Sequence, residues 1–270
     1  MNARAEALSQ ELNAQPGVSP YEMLYNGSIG LRFNKKDHAY YVADQTKLPV
    51  EEQRVPSVTQ ILDTAAKPAL VPWAVNCAVD VFAEKVKPGV AYDEIQLSQI
   101  GESIRREFRS VSKKALDIGT LVHEWIESGM PMSSMPVHPG SRQCCLAVFN
   151  WVRTVNFTPS HSEWRVYSRR HKFAGTLDAM SVAMVGGKNA IVDFKTSKAI
   201  YPEMRFQLAA YKAAVEEETQ MKGFDRWIVR LPKEEGDTIE PVLLPRNEYR
   251  ADLKAFLGLR DAYLRLQQLK

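Results

Sequence analysis

The chain has 270 residues, 45% hydrophobic and 25% charged, with a formal net charge of +3. That length supports one sizeable core with a smaller lobe, and the weak positive charge argues against an architectural DNA-binder while leaving room for local basic patches. No apolar run approaches the roughly 18–20 residues of a membrane span, and the opening MNARAEALSQELNAQ lacks the apolar centre of a signal peptide, so a cytoplasmic location is expected. The three cysteines, Cys77, Cys144 and Cys145, form no disulfide framework and no four-ligand zinc site, and read as reduced thiols.

Residues 1–28 read as a flexible N-terminal arm, weakly helical and broken at QPGVSP. IGLRFNKKDHAYYV predicts a hairpin with its polar turn at Asn34–Asp37. VPSVTQIL predicts a helix start with Ser57 as N-cap, and KPALVPWAVNCAVDVFAEKV a second helix, started by Pro72 and stopped near Pro88-Gly89. Residues 93–128 have helical periodicity and are expected as two helices, followed by a loop and the amphipathic SRQCCLAVFNWVRTV. The period then falls to two: SEWRVYS and KFAGTLDAMSVAMV alternate, and NAIVDFKTS is a short apolar run. A helix over YPEMRFQLAAYKAAVEEE, strands at RWIVRLPK and EPVLLP, and a terminal helix capped by Asn247 complete the chain. Helices followed by β-β-β-α-β-β and a last helix imply an α/β (α+β) core with an N-terminal helical lobe, the hairpin and lobe covering 29–114 and the core with its C-terminal helix 115–270.

Within that core, Asp178 lies in one strand, and Asp193 and Lys195 in the next. Strand residues two apart share a face, so Asp193 and Lys195 point together while Phe194 points into apolar packing. Two carboxylates on one face repel unless a cation joins them, and Mg²⁺ favours a few carboxylates together with substrate phosphate. A lysine beside such an ion can position an attacking water, which is equipment for phosphodiester hydrolysis. The hairpin register decides whether the carboxylates meet. A four-residue turn at Gly186–Asn189 pairs Val182 with Asp193 and leaves Asp178 roughly 13 Å away. A wider loop from Met184 to Asn189 pairs Asp178 with Lys195 and makes the two aspartates diagonal neighbours. A shared ion therefore requires the wider loop or a bend.

Taken together, GTLVHEWIE, EWRVY, FAGTLDAM, AIVDFKTSK and QLAAYKAA resemble the PD-(D/E)XK nuclease superfamily. The pattern is most similar to the RecB-like exonuclease branch, which includes phage recombination nucleases and the mitochondrial genome maintenance exonuclease. It runs from Gly119 to about Ala214, with a weaker likeness in VPSVTQILDTAAKPALVPWA. The resemblance implies a restriction-endonuclease-like fold with a central mixed sheet flanked by helices, and an Mg²⁺- or Mn²⁺-dependent deoxyribonuclease with one or two ions. Asp178 matches the first metal carboxylate, preceded here by Leu177 instead of proline. Asp193 matches the (D/E) position and Lys195 the catalytic lysine. The Phe194 backbone carbonyl and His123 match further metal ligands, and Glu163 a glutamate in the preceding strand. Gln207 and Tyr211 match a Q-x-x-x-Y motif. They stand on one helix face and, with Thr196 and Ser197, would address DNA or the catalytic residues.

The resemblance further implies an exonuclease leaving 5′-phosphates, acting on linear double-stranded DNA or single-stranded ends. Its setting would be phage recombination, replication or DNA repair, inside a bacterial host cell if phage-encoded. A single-strand annealing protein is an expected partner and a homo-oligomer is compatible. Some relatives bind an iron–sulfur cluster through four cysteines; three, with none after the core, predict no cluster. A site-specific or structure-specific endonuclease and a non-catalytic DNA-binding module of the same fold are the alternatives. HEWIE lacks the second histidine of a zinc protease, having Glu127 there, and Gly187-Lys188 lacks P-loop spacing. Gly119, one turn before His123, is read as admitting a close approach of sheet or substrate. Arg105, Arg109 and Lys113 give one basic helix face, and Arg169 and Arg170 a second basic group that could meet DNA phosphates.

Overall fold

A computed structural model describes residues 20–65, 67, 70–182, 187–234 and 236–269, without the side chains of 108, 111, 112, 114 and 115. Alternating apolar residues in the first third build an antiparallel meander of four strands, β1 (Glu22–Leu24), β2 (Ile29–Asn34), β3 (Ala39–Asp44) and β4 (Glu52–Val55). The expected hairpin is its centre, with Phe33 opposite Tyr40, but strands are added on both sides. β1 lies in the segment read as an arm; residues 1–19 of that segment lie outside the described residues. Leu24, Ile29, Leu31, Tyr40 and Val42 bury one face of this sheet against Tyr167 and Ala174 of the main sheet.

Helix α1 (Val58–Leu62) starts where expected: Ser57 Oγ accepts the Gln60 N–H at 3.0 Å, and Gln60 Oε1 accepts the Ser57 N–H at 3.1 Å. α2 (Leu70–Lys85) then packs against α3 (Glu94–Glu127). α3 is a single 34-residue helix where two were expected. It crosses position 114 unbroken, because Gly101 and Gly119 weaken a helix by about 1 kcal/mol each but neither removes an N–H nor clashes as proline does. α4 (Pro139–Thr154) follows.

The main sheet has order β5 (His161–Ser168), β6 (Phe173–Ser181), β7 (Ala190–Lys195), β8 (Asp225–Arg230), β9 (Glu240–Leu244). It is mixed: β7 and β8 run parallel, joined through α5 (Pro202–Thr219), and the other neighbours are antiparallel. One face packs on α1, α5 and α6 (Tyr249–Gln268) through Phe173, Leu177, Ile191, Leu208 and Phe256. The other packs on α3 and α4 through Val122, Trp125, Trp151, Val192 and Phe194. The protein is thus an α+β fold with a central mixed sheet flanked by helices. Asn247 does not cap α6: residues Arg246–Glu248 form a short 3-10 turn that leads into it.

The β6–β7 hairpin is wider than either register considered above. Its last pair is Ser181 with Ala190, after Met180 with Ile191 and Ala179 with Val192. Burial on both faces excludes a one-residue slip from this register. Met180 and Ile191 share one core, Ala179 and Val192 the other, and a one-residue slip would exchange them. Continued, it sets Asp178 opposite Asp193, not diagonal to it.

Candidate metal centre

β6 bends where Asp178 lies. Phe173, Leu177 and Met180 all reach the core under α5, although strict alternation would turn Met180 away from the first two. The pairing of β5 with β6 skips one position, Glu163 against Asp178. Glu163 has φ of 46°, in the left-handed region. A non-glycine residue held there costs on the order of 1 kcal/mol or more, and such strain concentrates at functional sites. Both the wide loop and the bend required for a shared ion are therefore present.

At this bend the Oδ2 of Asp178 accepts the N–H of Phe194 at 2.7 Å, so a side chain ends the β6–β7 ladder. The Oδ1 lies 3.7 Å from His123 Nδ1, and that nitrogen lies 3.2 Å from Glu163 Oε1. Val122, Trp125 and Ile126 bury one face of α3 and fix its rotation, leaving half-buried His123 to face the two strands. His123, Glu163 and Asp178 each offer a ligand atom within 4.8 Å of the others.

Asp193 is fully buried beside them, and Lys195 Nζ lies 2.8 Å from each of its oxygens. Oδ1 accepts the aligned hydrogen bond, while Oδ2, buried and as close to the ammonium, lacks an aligned donor. Phe194 packs away from both, edge-on to Trp151 at 6.0 Å. A divalent cation fits this donor set. Oxygen and imidazole donors converge, three carboxylates crowd one another, and one buried carboxylate oxygen lacks a hydrogen bond.

The electrostatics follow from that crowding. Burial raises the Asp178 carboxyl above its usual range, with Glu163 adding to it and His123 and Lys195 opposing. Burial likewise raises Asp193 to about 6. Burial alone would lower Lys195, but Asp193 and Asp178 outweigh it and the ammonium is held. Asp178, and then Glu163, push His123 up to about 9. Without metal the imidazolium thus joins the Lys195 ammonium as a cation of the cluster. A histidine raised from its unfolded value near 6.5 stabilises the fold fully below that value, and this stability is lost as pH rises through about 9. We expect the metal-free protein to lose stability between pH 7 and 9.5 in denaturant titrations, and His123→Gln to flatten that loss. A variant with the wild-type slope would assign the dependence elsewhere.

A cleft of about 420 Å³ opens over the cluster, lined by Leu116, Gly119, Thr120, His123, Glu163 and Thr196. Gly119 admits the close approach expected of it: a Cβ there would stand 3.2 Å from Thr196 Oγ1. Ser197 instead turns its hydroxyl to the Ala199 carbonyl. Gln207 and Tyr211 share a helix face and are joined at 3.2 Å, Gln207 Nε2 donating to the Tyr211 hydroxyl. Tyr211 is only 2% exposed and packs behind the site, where a Cβ on Gly175 would meet its ring at 2.7 Å. In this arrangement it offers no surface to a DNA strand. Burial, with Tyr40 and Asp193 nearby, holds its hydroxyl un-ionised. Arg169 and Arg170 lie on the turn after β5: Arg169 covers the Tyr25 ring, and the Arg170 N–H is accepted by Glu217. Arg105, Arg109 and Lys113 are exposed on α3.

Sequence reasoning missed Leu116, Thr120, Glu124 and Glu127, which line the same cleft. Thr120 and Glu127, three and four residues from His123, and Leu116, seven away, carry the helical spacing that was the available signal. Tyr40, an aromatic that could have stacked on bases or packed the N-terminal lobe, is buried, and its hydroxyl meets Thr176 Oγ1 at 2.6 Å two residues before Asp178. No local pattern announces a contact made from a separate sheet.

No protein-family model and no curated protein sequence matches the chain. Among solved structures, it is similar to a protein of Eubacterium rectale provisionally described as an exonuclease. The identity is 15%, the TM-score 0.41, and 57% of this chain and 67% of that one are covered. It is also similar to a protein designated SSO0001, at 13% identity and a TM-score of 0.33, covering 73% of this chain and 86% of that one. At such scores neither likeness carries an argument about activity.

Proposed function

We propose that the chain is a divalent-metal-dependent deoxyribonuclease of the PD-(D/E)XK type, acting as an exonuclease on DNA ends. The observation that carries this reading is the convergence of His123, Glu163 and Asp178 at the bend of β6, with the Asp193–Lys195 pair beside them. His123, Glu163, Asp178 and Asp193, with the Phe194 carbonyl, would hold Mg²⁺ or Mn²⁺. When bound, such an ion offsets the repulsion among the carboxylates and withdraws charge from the phosphoryl oxygens.

The chain's own residues supply the rest. Asp193 holds the Lys195 ammonium at the edge of the cleft, where it donates to the attacking water or to a phosphoryl oxygen and fixes its place. Gly119 keeps the wall of the cleft thin opposite Thr196, so that a phosphodiester can lie between α3 and the end of β7. Tyr211 and Gln207 brace the carboxylates from behind. Cleavage with the chemistry of the resembled branch leaves 5′-phosphates.

The test uses end-labelled linear DNA and covalently closed circular DNA, each with Mg²⁺ or Mn²⁺. The exonuclease reading expects linear DNA to be shortened from its ends while circles persist. Cutting of circles would replace it by an endonuclease, and an inert protein under both ions would leave only a binding module.

A further inference from the structure

α3 is about 51 Å long by its rise. Its C-terminal end, at Val122, Trp125 and Ile126, enters the core on α4; towards its N-terminus it packs on α2. Along this helix the charge changes sign. Glu124 and Glu127 are exposed beside His123, above the carboxylates of the metal cluster. Arg105 and Arg109 stand about five and four turns earlier, roughly 27 and 21 Å along the axis, and return to the His123 side of the helix at 3.6 residues per turn. Lys113 stands roughly 15 Å away at the flank of that side. Arg105 meets Glu102 at 2.5 Å with both side chains more than half exposed, a pair that water and salt screen. Among the described residues Arg109 and Lys113 have no ion pair, which leaves a cationic row in line with an anionic cleft.

That arrangement matches one polyanion lying along the helix, with the phosphate to be hydrolysed at the ion site and its neighbours on the basic row. We propose that α3 is a track for DNA: Lys113, Arg109 and Arg105 hold phosphates on one side of the reacting bond, at roughly 15 to 27 Å from it. The proposal rests on the nuclease reading for what sits at the cluster. At about 3.4 Å per nucleotide along one strand of a duplex, the grip falls about four to eight nucleotides from the reacting phosphate. Substrates shorter than that on this side lose it.

Binding can be measured apart from cleavage, in EDTA, by fluorescence anisotropy over a salt series. The probes are labelled duplexes of about 6 and about 24 base pairs. Wild type should bind the long duplex at least tenfold more tightly than the short one. In Arg105→Ala/Arg109→Ala/Lys113→Ala the length dependence should collapse, and the salt slope should fall by roughly two to three units, near 0.9 per phosphate contact. Arg105→Lys/Arg109→Lys should retain most of the slope, which separates charge from helix stability. A triple variant with wild-type affinity and slope overturns the proposal, as does wild type binding both lengths alike or binding polyglutamate as well as DNA. Length-dependent binding by a protein that cuts nothing with Mg²⁺ or Mn²⁺ removes the nuclease reading alone. Cleavage by a protein whose salt slope ignores the triple substitution removes the track alone.

Discussion

Asp178→Ala is expected to lower DNA hydrolysis by about 10³-fold, the upper end of the scale on which loss of one preorganised electrostatic group acts. Asp178 joins the histidine helix to β7: its Oδ1 faces His123 and its Oδ2 holds the Phe194 N–H. The alanine variant therefore fails twice. It loses a proposed ion ligand, and it leaves a buried N–H without an acceptor, which costs about 1–3 kcal/mol. Asp178→Asn separates the two effects, since its amide oxygen can still accept from Phe194 while the charge is gone. Its activity should be as low as that of alanine, with less loss of stability. Metal supplies an independent readout. An ion at about 100 times its dissociation constant stabilises the fold by about 2.7 kcal/mol. Thermal unfolding with and without Mn²⁺ should show such a gain in wild type and none in either variant. A full gain in Asp178→Ala would place the ion elsewhere.

Lys195→Ala is expected to cost about 10²- to 10³-fold in turnover while the Mn²⁺-dependent gain in stability persists. Lys195 is the partner of Asp193, whose carboxylate is completely buried while the lysine keeps some exposure. Removing one member of a buried pair costs about 3–5 kcal/mol, and the lower end is expected because Asp193 can take up a proton. Asp193 is already raised to about 6 by burial, and losing the ammonium raises it further. The raised carboxyl gives the sign: the variant should be least stable relative to wild type at alkaline pH, and the difference should close as pH falls to about 6. Bound metal should narrow the difference by supplying the missing positive charge. Turnover equal to wild type would remove Lys195 from the chemistry, whatever its effect on stability.

The chemistry-bearing face was legible because its signals are local. Asp193 and Lys195 share a side by strand alternation, and Phe194 turns into apolar packing for the same reason. Gln207 and Tyr211 meet because they are four residues apart on a helix. Ser57 caps its helix through a partner three residues away. The four-stranded N-terminal sheet was less legible. Glu22–Leu24 and Glu52–Val55 are short, carry polar residues, and hold their places only through pairing with the hairpin between them.

The sequence by itself therefore determined which residues share a face and which helix carries the histidine, since periods of 2 and 3.6 are properties of the local backbone. Only the tertiary structure decided that Asp178 faces Asp193, that Glu163 joins them, and that α3 runs unbroken from the basic row to the metal cluster. Hairpin registers that differ by two residues keep every side chain on its own face, so the apolar pattern cannot choose among them. The observed pairing of Ser181 with Ala190 made that choice, and the left-handed turn at Glu163 brought the third carboxylate to the candidate ion site.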